Sequence, residues 1–180
     1  MAELQQYQGK TSDVRKIFPP YIKSLLTKKI SLHITEIGKN IKQNLEHKII
    51  SMVEGKCIEE GFIRPSSVKI QTYSCGIVNT ENIEFQTVFE CLICHPVEGM
   101  QILCETKTIT KAGIHAQYMD ANNVIPLVIF IARDHHYNDK YFNTIKENMK
   151  INIKVIGIRF ELNDSYISAI GRLLEFGSHK

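Results

Sequence analysis

Between residues 29 and 34 (KISLHI) apolar and polar side chains alternate, and Ile30, Leu32 and Ile34 fall on one face, the two-residue period of a β-strand. The period then lengthens. From residue 36 to residue 54 the apolar positions Ile37, Ile41, Leu45, Ile49 and Val53 recur every four residues, with Ile50 and Met52 widening the stripe. That spacing predicts an amphipathic helix roughly 28 Å long. Thr35 is placed to cap its start and Gly55 to stop its end. Alternation returns at residues 67–73 around Val68 and Ile70, and at residues 83–94, where Phe85, Thr87, Phe89, Cys91 and Ile93 share a face. Gly61, Pro65, Gly76 and the polar cluster at 79–82 punctuate the stretches between them, and His95, Pro96 and Gly99 close this first unit.

Beyond Gly99 the chain reads as closely spaced strands. Residues 100–110 alternate, 113–118 follow a Lys-Ala-Gly turn, 124–132 follow Ala121-Asn122-Asn123, and 151–160 and 166–174 flank a turn at Asn163-Asp164. Within 151–160 the apolar phase slips from Ile151, Ile153 and Val155 to Ile156, Ile158 and Phe160, which predicts a β-bulge near Gly157. Five short strands, with the polar stretch 134–150 after the third, give the element order of an OB-type barrel. Upstream, Pro19-Pro20 breaks a polar segment, so residues 1–27 read as an N-terminal arm with a short helix at 21–26. The expected class is α+β: a unit of strand, long helix and antiparallel sheet at 28–98, then a five-stranded barrel at 99–177.

Composition adds bounds. The chain has 180 residues, 43% of them hydrophobic, a length and balance suited to folded domains rather than disorder. Its longest apolar run, residues 124–132, contains Pro126 and falls far short of the roughly 20 residues a membrane helix needs. The first residues lack the apolar segment of a secretory signal, so a cytosolic or nuclear setting with reduced cysteines is expected. The formal charge of +3 divides into +4 over residues 1–34, −3 over 35–98 and +2 over 99–180. No segment has the dense positive field of a protein that holds duplex DNA by charge alone.

Candidate chemistry is sparse. Cys91 to His95 spells the CxxCH pattern of a haem attachment or half a zinc site, but on an alternating strand Cys91 and Cys94 point to opposite faces, which favours a structural strand. His135 and His136, with Asp134 and Asp139, suggest a metal or acid–base cluster, yet adjacent residues on an extended segment diverge. No nucleophile–base motif, phosphate loop or paired carboxylate is visible, so neither a catalytic residue nor a metal or other cofactor is expected. Lys107, Lys111, His115, Tyr118, Arg133, His136 and Tyr137 lie on and around the second and third barrel strands. They suit single-stranded nucleic acid, with rings stacking on bases and cations tracking phosphates. They equally suit an ordinary polar barrel face.

Several strings, in their order and spacing, resemble the larger stalk subunit of multisubunit RNA polymerases, the archaeal E-prime subunit and the seventh subunit of eukaryotic RNA polymerase II. They are KISLHIT at 29–35, MVEGKC at 52–57, Gly61-Phe62-Ile63, the strand ending at Cys94 with Pro96 and Gly99, Lys111-Ala112-Gly113-Ile114, and ISAIGRL at 167–173. The resemblance implies a tip domain that docks on the polymerase core, followed by an S1/OB domain turned toward emerging RNA. It assigns docking to Gly61, Phe62, Ile63 and Arg64, and places the RNA side near Lys111, His115, Tyr118 and Arg133. The link at 35–38 is shorter than in cellular members, and His115 and Ala116 stand where many S1 modules place an exposed aromatic. The implied partners are the large polymerase subunits, a smaller stalk subunit such as cellular members have, nascent single-stranded RNA and initiation factors, with no membrane. Lysine outnumbers arginine 17 to 5 and isoleucine and asparagine abound, a bias that fits a large DNA virus. The location implied is the nucleus for a cellular protein and host cytoplasm or virion for a viral one. Two rival readings are a free-standing S1-type RNA-binding protein and a metal or redox enzyme built on Cys91 and Cys94.

Overall fold

The computed structural model describes residues 20–137 and 139–174. In chain order these form β1 (Tyr21–His33), a 3-10 turn (Ile34–Glu36), helix α1 (Ile41–Val53), β2 (Cys57–Ile58), β3 (Gly61–Ile63), β4 (Lys69–Tyr73), β5 (Ile77–Asn79) and β6 (Asn82–Cys94). There follow β7 (Gln101–Ile109), β8 (Gly113–Tyr118), β9 (Leu127–Ala132), two 3-10 turns (Arg133–His136 and Phe142–Thr144), β10 (Lys150–Arg159) and β11 (Ile167–Leu174). The class is α+β, an antiparallel sheet with one helix followed by a closed five-stranded barrel.

β6 organises the sheet. It pairs with β1 along one side, in unbroken register from Tyr21↔Cys94 to His33↔Asn82, and with β3, β4 and β5 along the other. The helix expected at residues 21–26 is therefore strand, as is the described end of the arm; residues 1–19 lie outside the described residues. Ile22 and Leu26 already keep the two-residue phase of Ile30 and Leu32, but Ser24 and Lys28 occupy the same phase and hide it. Pairing with β6 decides the conformation. As expected, Phe85, Thr87, Phe89, Cys91 and Ile93 share a buried face. Against it packs α1, through Leu45, Ile49 and Val53.

The helix is shorter than its stripe. The Glu36 carboxylate accepts the His33 amide at 3.0 Å while Thr35 N–H donates to His33 Nδ1, so a capping box forms one turn too early. Ile37 is then extended, and α1 starts at Ile41 with no side-chain cap from Asn40. Gly55 ends it as expected, at φ +70°, a conformation costly for other residues. Glu54 beside it accepts the amides of Ser66, Ser67 and Val68 at 2.8, 3.1 and 2.9 Å, and so moors the loop leading to β4.

The barrel closes in the circuit β7-β8-β9-β11-β10, with β9 and β11 parallel and the other pairs antiparallel, which is OB topology. The bulge read from the phase slip is present between Val155 and Gly157. A second bulge, between Thr106 and Thr108, sets Lys107 out of the β7 ladder.

The barrel's core does not stop at its own strands. Cys57, Phe62 and Cys94 are buried with Ile102, Ile129, Ile151 and Leu173, and Tyr21 packs against the same cluster. Cross-strand register aligns Cys57, Phe62, Cys94 and Tyr21 in one row over β2, β3, β6 and β1. That row is on the face opposite the helix, and it plugs one end of the barrel.

Candidate nucleic-acid interface

On β8 the inward positions are Ile114, Ala116 and Tyr118, and the outward ones are His115 and Gln117. On β9 Leu127, Ile129 and Ile131 turn inward, leaving Val128 and Phe130 outside. Register sets His115 opposite Phe130, and Phe130 opposite Ile170 on β11. The His115 and Phe130 rings lie 4.9 Å apart at 48°. Imidazole, phenyl and the exposed Ile170 thus make an apolar row across three strands, a surface on which bases can stack. Arg172, two residues beyond Ile170, lines an open cleft with His135, Tyr137 and Lys140. Asp134 and Asp139 line the same cleft, so the field there is mixed.

The residues expected from the sequence separate on this surface. His115 is exposed on the row, Lys111 is exposed in the β7–β8 turn, and Tyr137 is 86% exposed. Arg133 is held in place: its Nε–H donates to the Lys111 carbonyl at 3.0 Å, and its guanidinium sits 5.2 Å over the Phe142 ring. The Lys107 ammonium lies 2.7 Å from the Glu105 carboxylate, which offsets its charge. Tyr118 is turned inward by its strand phase and is half-buried. Burial, then the nearby Asp120 carboxylate, raises its phenol pKa.

His136 is also turned into the fold. It is buried, its Nδ1 lies 2.9 Å from the Ala132 carbonyl, its Nε2 accepts the Leu173 amide at 3.0 Å, and its ring stacks on Phe142. Both nitrogens are used within the fold, so the ring is free neither to stack on a base nor to bind a metal. Phe130, Ile170 and Arg172 were not anticipated. Residues 124–132 read as one apolar run, which carries no polar alternation from which the outward phase of Phe130 could be counted.

Of the residues assigned to docking, Gly61, Phe62 and Ile63 are buried in the chain's own sheet, and Arg64 Nε–H donates to Asp120 Oδ2 at 2.7 Å. A Cβ on Gly61 would lie 2.5 Å from the Cys94 carbonyl, so this strand is pressed against its neighbour rather than presented outward. Exposed apolar residues stand at the other end of the sheet, where Ile34, Ile77 and Val78 are 53%, 67% and 68% exposed.

Cys91 and Cys94 belong to different cores, as strand alternation predicts. Burial pushes the Cys91 thiol up to about 11, with the glutamates around it adding, and pushes Cys94 up to about 12. Among the described residues no group of three His, Cys, Asp or Glu side chains is placed to hold a metal ion, and no helix is long and apolar enough to cross a membrane.

The chain thus joins an antiparallel sheet bearing one helix to a closed OB-type barrel that carries an aromatic and imidazole row on its outer face. No protein-family model matches the chain. It is 25% identical over 175 residues to a protein provisionally named a DNA-directed RNA polymerase subunit of Acanthamoeba polyphaga mimivirus, covering 88% of this chain and 84% of that one. It is 23% identical over 154 residues to DNA-directed RNA polymerase II subunit 7 of Arabidopsis thaliana, covering 76% and 84%. To subunit RPB7 of RNA polymerase II from Glycine max it is 21% identical over 159 residues, covering 79% and 86%. The chain resembles subunit 7 of DNA-directed RNA polymerase, the larger stalk subunit, and has a viral relative.

Proposed function

We propose that this chain is a non-catalytic stalk subunit of a DNA-directed RNA polymerase, which docks on the core near the clamp and contacts nascent RNA or initiation factors. The observation that carries the reading is similarity to polymerase subunits over most of both chains, joined to an OB barrel. The reacting metal and nucleotides belong to the large subunits, and this chain supplies position and surface. Exposed Ile34, Ile77 and Val78 at the far end of the sheet support docking there, where they would offer apolar area to the core. Single-stranded RNA crosses the barrel over His115, Phe130 and Ile170, with Arg172, Lys140, Lys111 and Arg133 near its phosphates and Tyr137 beside them. A smaller stalk subunit is a further partner. The protein works wherever its polymerase works: the nucleus for a cellular enzyme, host cytoplasm or virion for a viral one.

Affinity purification of the native protein tests this. Recovery of the two largest polymerase subunits supports it, and their consistent absence from a preparation that retains RNA binding favours the free-standing S1-type protein instead.

A further inference from the structure

The sheet and the barrel meet through more than the connecting segment at 95–100. At the β2 edge of the plugging row, Cys57 N–H donates to the Asp164 carbonyl and Asn163 N–H donates to the Cys57 carbonyl, both at 2.8 Å. The turn between β10 and β11 is thereby stitched to the sheet as if it were one more strand. Beside it the His95 and Phe160 rings meet edge to face at 6.1 Å. At the β1 edge of the row the fastening is made by side chains. Arg64, 23% exposed, leaves β3, lies with its Cζ 5.5 Å from the Tyr21 ring centre, and donates from Nε to Asp120 in the loop between β8 and β9.

Asp120 is built for this contact. Its side chain is only 5% exposed, and its other oxygen, Oδ1, accepts the amides of Asn122 at 2.8 Å and Val124 at 3.0 Å. These bonds orient the carboxylate before Arg64 reaches it. A charge pair this sheltered is screened far less by water than one on the surface, and removing either partner strands the other. The two fastenings stand at opposite ends of one row, so a hinge motion about 95–100 that opens one side has to break the fastening there.

We infer that the Arg64–Asp120 pair, seated on Tyr21, is an inter-domain latch that fixes the direction of the barrel relative to the far end of the sheet. The molecule is then a single rigid lever, with the stitched β10–β11 turn as its fixed side and the latch as its releasable side. Releasing the latch lets the barrel swing while leaving each half folded. The inference concerns the isolated chain and does not depend on the polymerase reading, which can fail separately.

The test measures the distance distribution between spin labels at Asn79→Cys, at the end of β5, and Lys111→Cys, in the barrel turn remote from the sheet. Cys75, the exposed native thiol, is replaced by serine, and the other four cysteines are buried. The parent protein should give one narrow distribution. Arg64→Gln and Asp120→Asn should each broaden it, and the double variant should be no broader than the wider single one. A broad distribution in the parent overturns the inference, as does parental width in both single variants. Asp120→Asn also disturbs its own loop, so Arg64→Gln, which leaves the Asn122 and Val124 bonds in place, decides the matter if the asparagine variant does not fold. Circular dichroism of the labelled proteins confirms that each half remains folded.

Discussion

His136 shows how far a residue's chemistry depends on where its strand neighbours put it. From the sequence it is one of two adjacent histidines in a polar stretch; in the fold it pins the segment after β9 to β11 through both ring nitrogens. His136→Ala should cost about 2–4 kcal/mol, through a buried amide left unpaired and lost packing on Phe142, read as a lower urea midpoint with the same slope. The neighbouring His135→Ala should leave the midpoint near its parental value. The thiols make a second residue-scale prediction. Cys57 and Cys91 are pushed up to about 11, and Cys94 and Cys104 to about 12, in every case chiefly by burial. A thiol-reactive chromophore at pH 8 should therefore modify Cys75 quickly and the other four only on unfolding. Folding raises these pKa values, so the stability linked to them is complete below the unfolded thiol range near 9 and is lost as pH climbs toward 11–12. An alkaline unfolding titration reads that loss. Burial decides this reactivity, and a CxxC spacing in the sequence carries no measure of burial.

At the scale of elements the period of the apolar pattern was the dependable signal, and its interruptions were the source of error. β8 was legible residue for residue, and the bulge in β10 followed from a phase slip, because both are written in the chain locally. β1 was legible only from residue 29, since Ser24 and Lys28 interrupt the apolar phase and the deciding partner, β6, lies some sixty residues on. The start of α1 was misplaced because a histidine, which a sequence reading does not weigh as a cap, closes a turn with Glu36. From Ile41 to Val53 the stripe is borne out, and it predicts a gradient. Ile49→Ala, at the centre of the buried stripe, should cost about 2–5 kcal/mol, whereas Met52→Ala, on the exposed flank, should cost under about 1 kcal/mol. Gly113 offers a test of the barrel's outer row. A Cβ there would stand 2.3 Å from the Ile131 carbonyl and 2.9 Å from the Phe130 ring. Gly113→Ala should lower the melting temperature and shift the Phe130 and His115 ring resonances in an NMR spectrum, while the sheet's methyl resonances stay in place.

For the molecule as a whole, the class of fold was legible and most of the candidate site was not. Tyr118 turns inward by the phase of β8, His136 is drawn in by the turn that follows β9, and register across β8, β9 and β11 brings Phe130 and Ile170 beside His115. Base stacking is worth about 1–3 kcal/mol per base, so the His115→Ala, Phe130→Ala double variant should weaken single-stranded RNA binding by about ten- to a hundredfold in a fluorescence-anisotropy titration. Its co-purification with large polymerase subunits should be unchanged, because the proposed docking end lies some 40 Å along β1 from the row that plugs the barrel. That row also has a history within each molecule's synthesis. Tyr21, Cys57, Phe62 and Cys94 leave the ribosome before any barrel strand exists to receive them, and β11 follows Cys94 by roughly 80 residues. At about 5–20 residues per second, the sheet waits roughly 4–16 s with an apolar row bare. A nascent chain arrested near residue 130 should therefore be a chaperone client, and one extended past the tunnel with β11 complete should not.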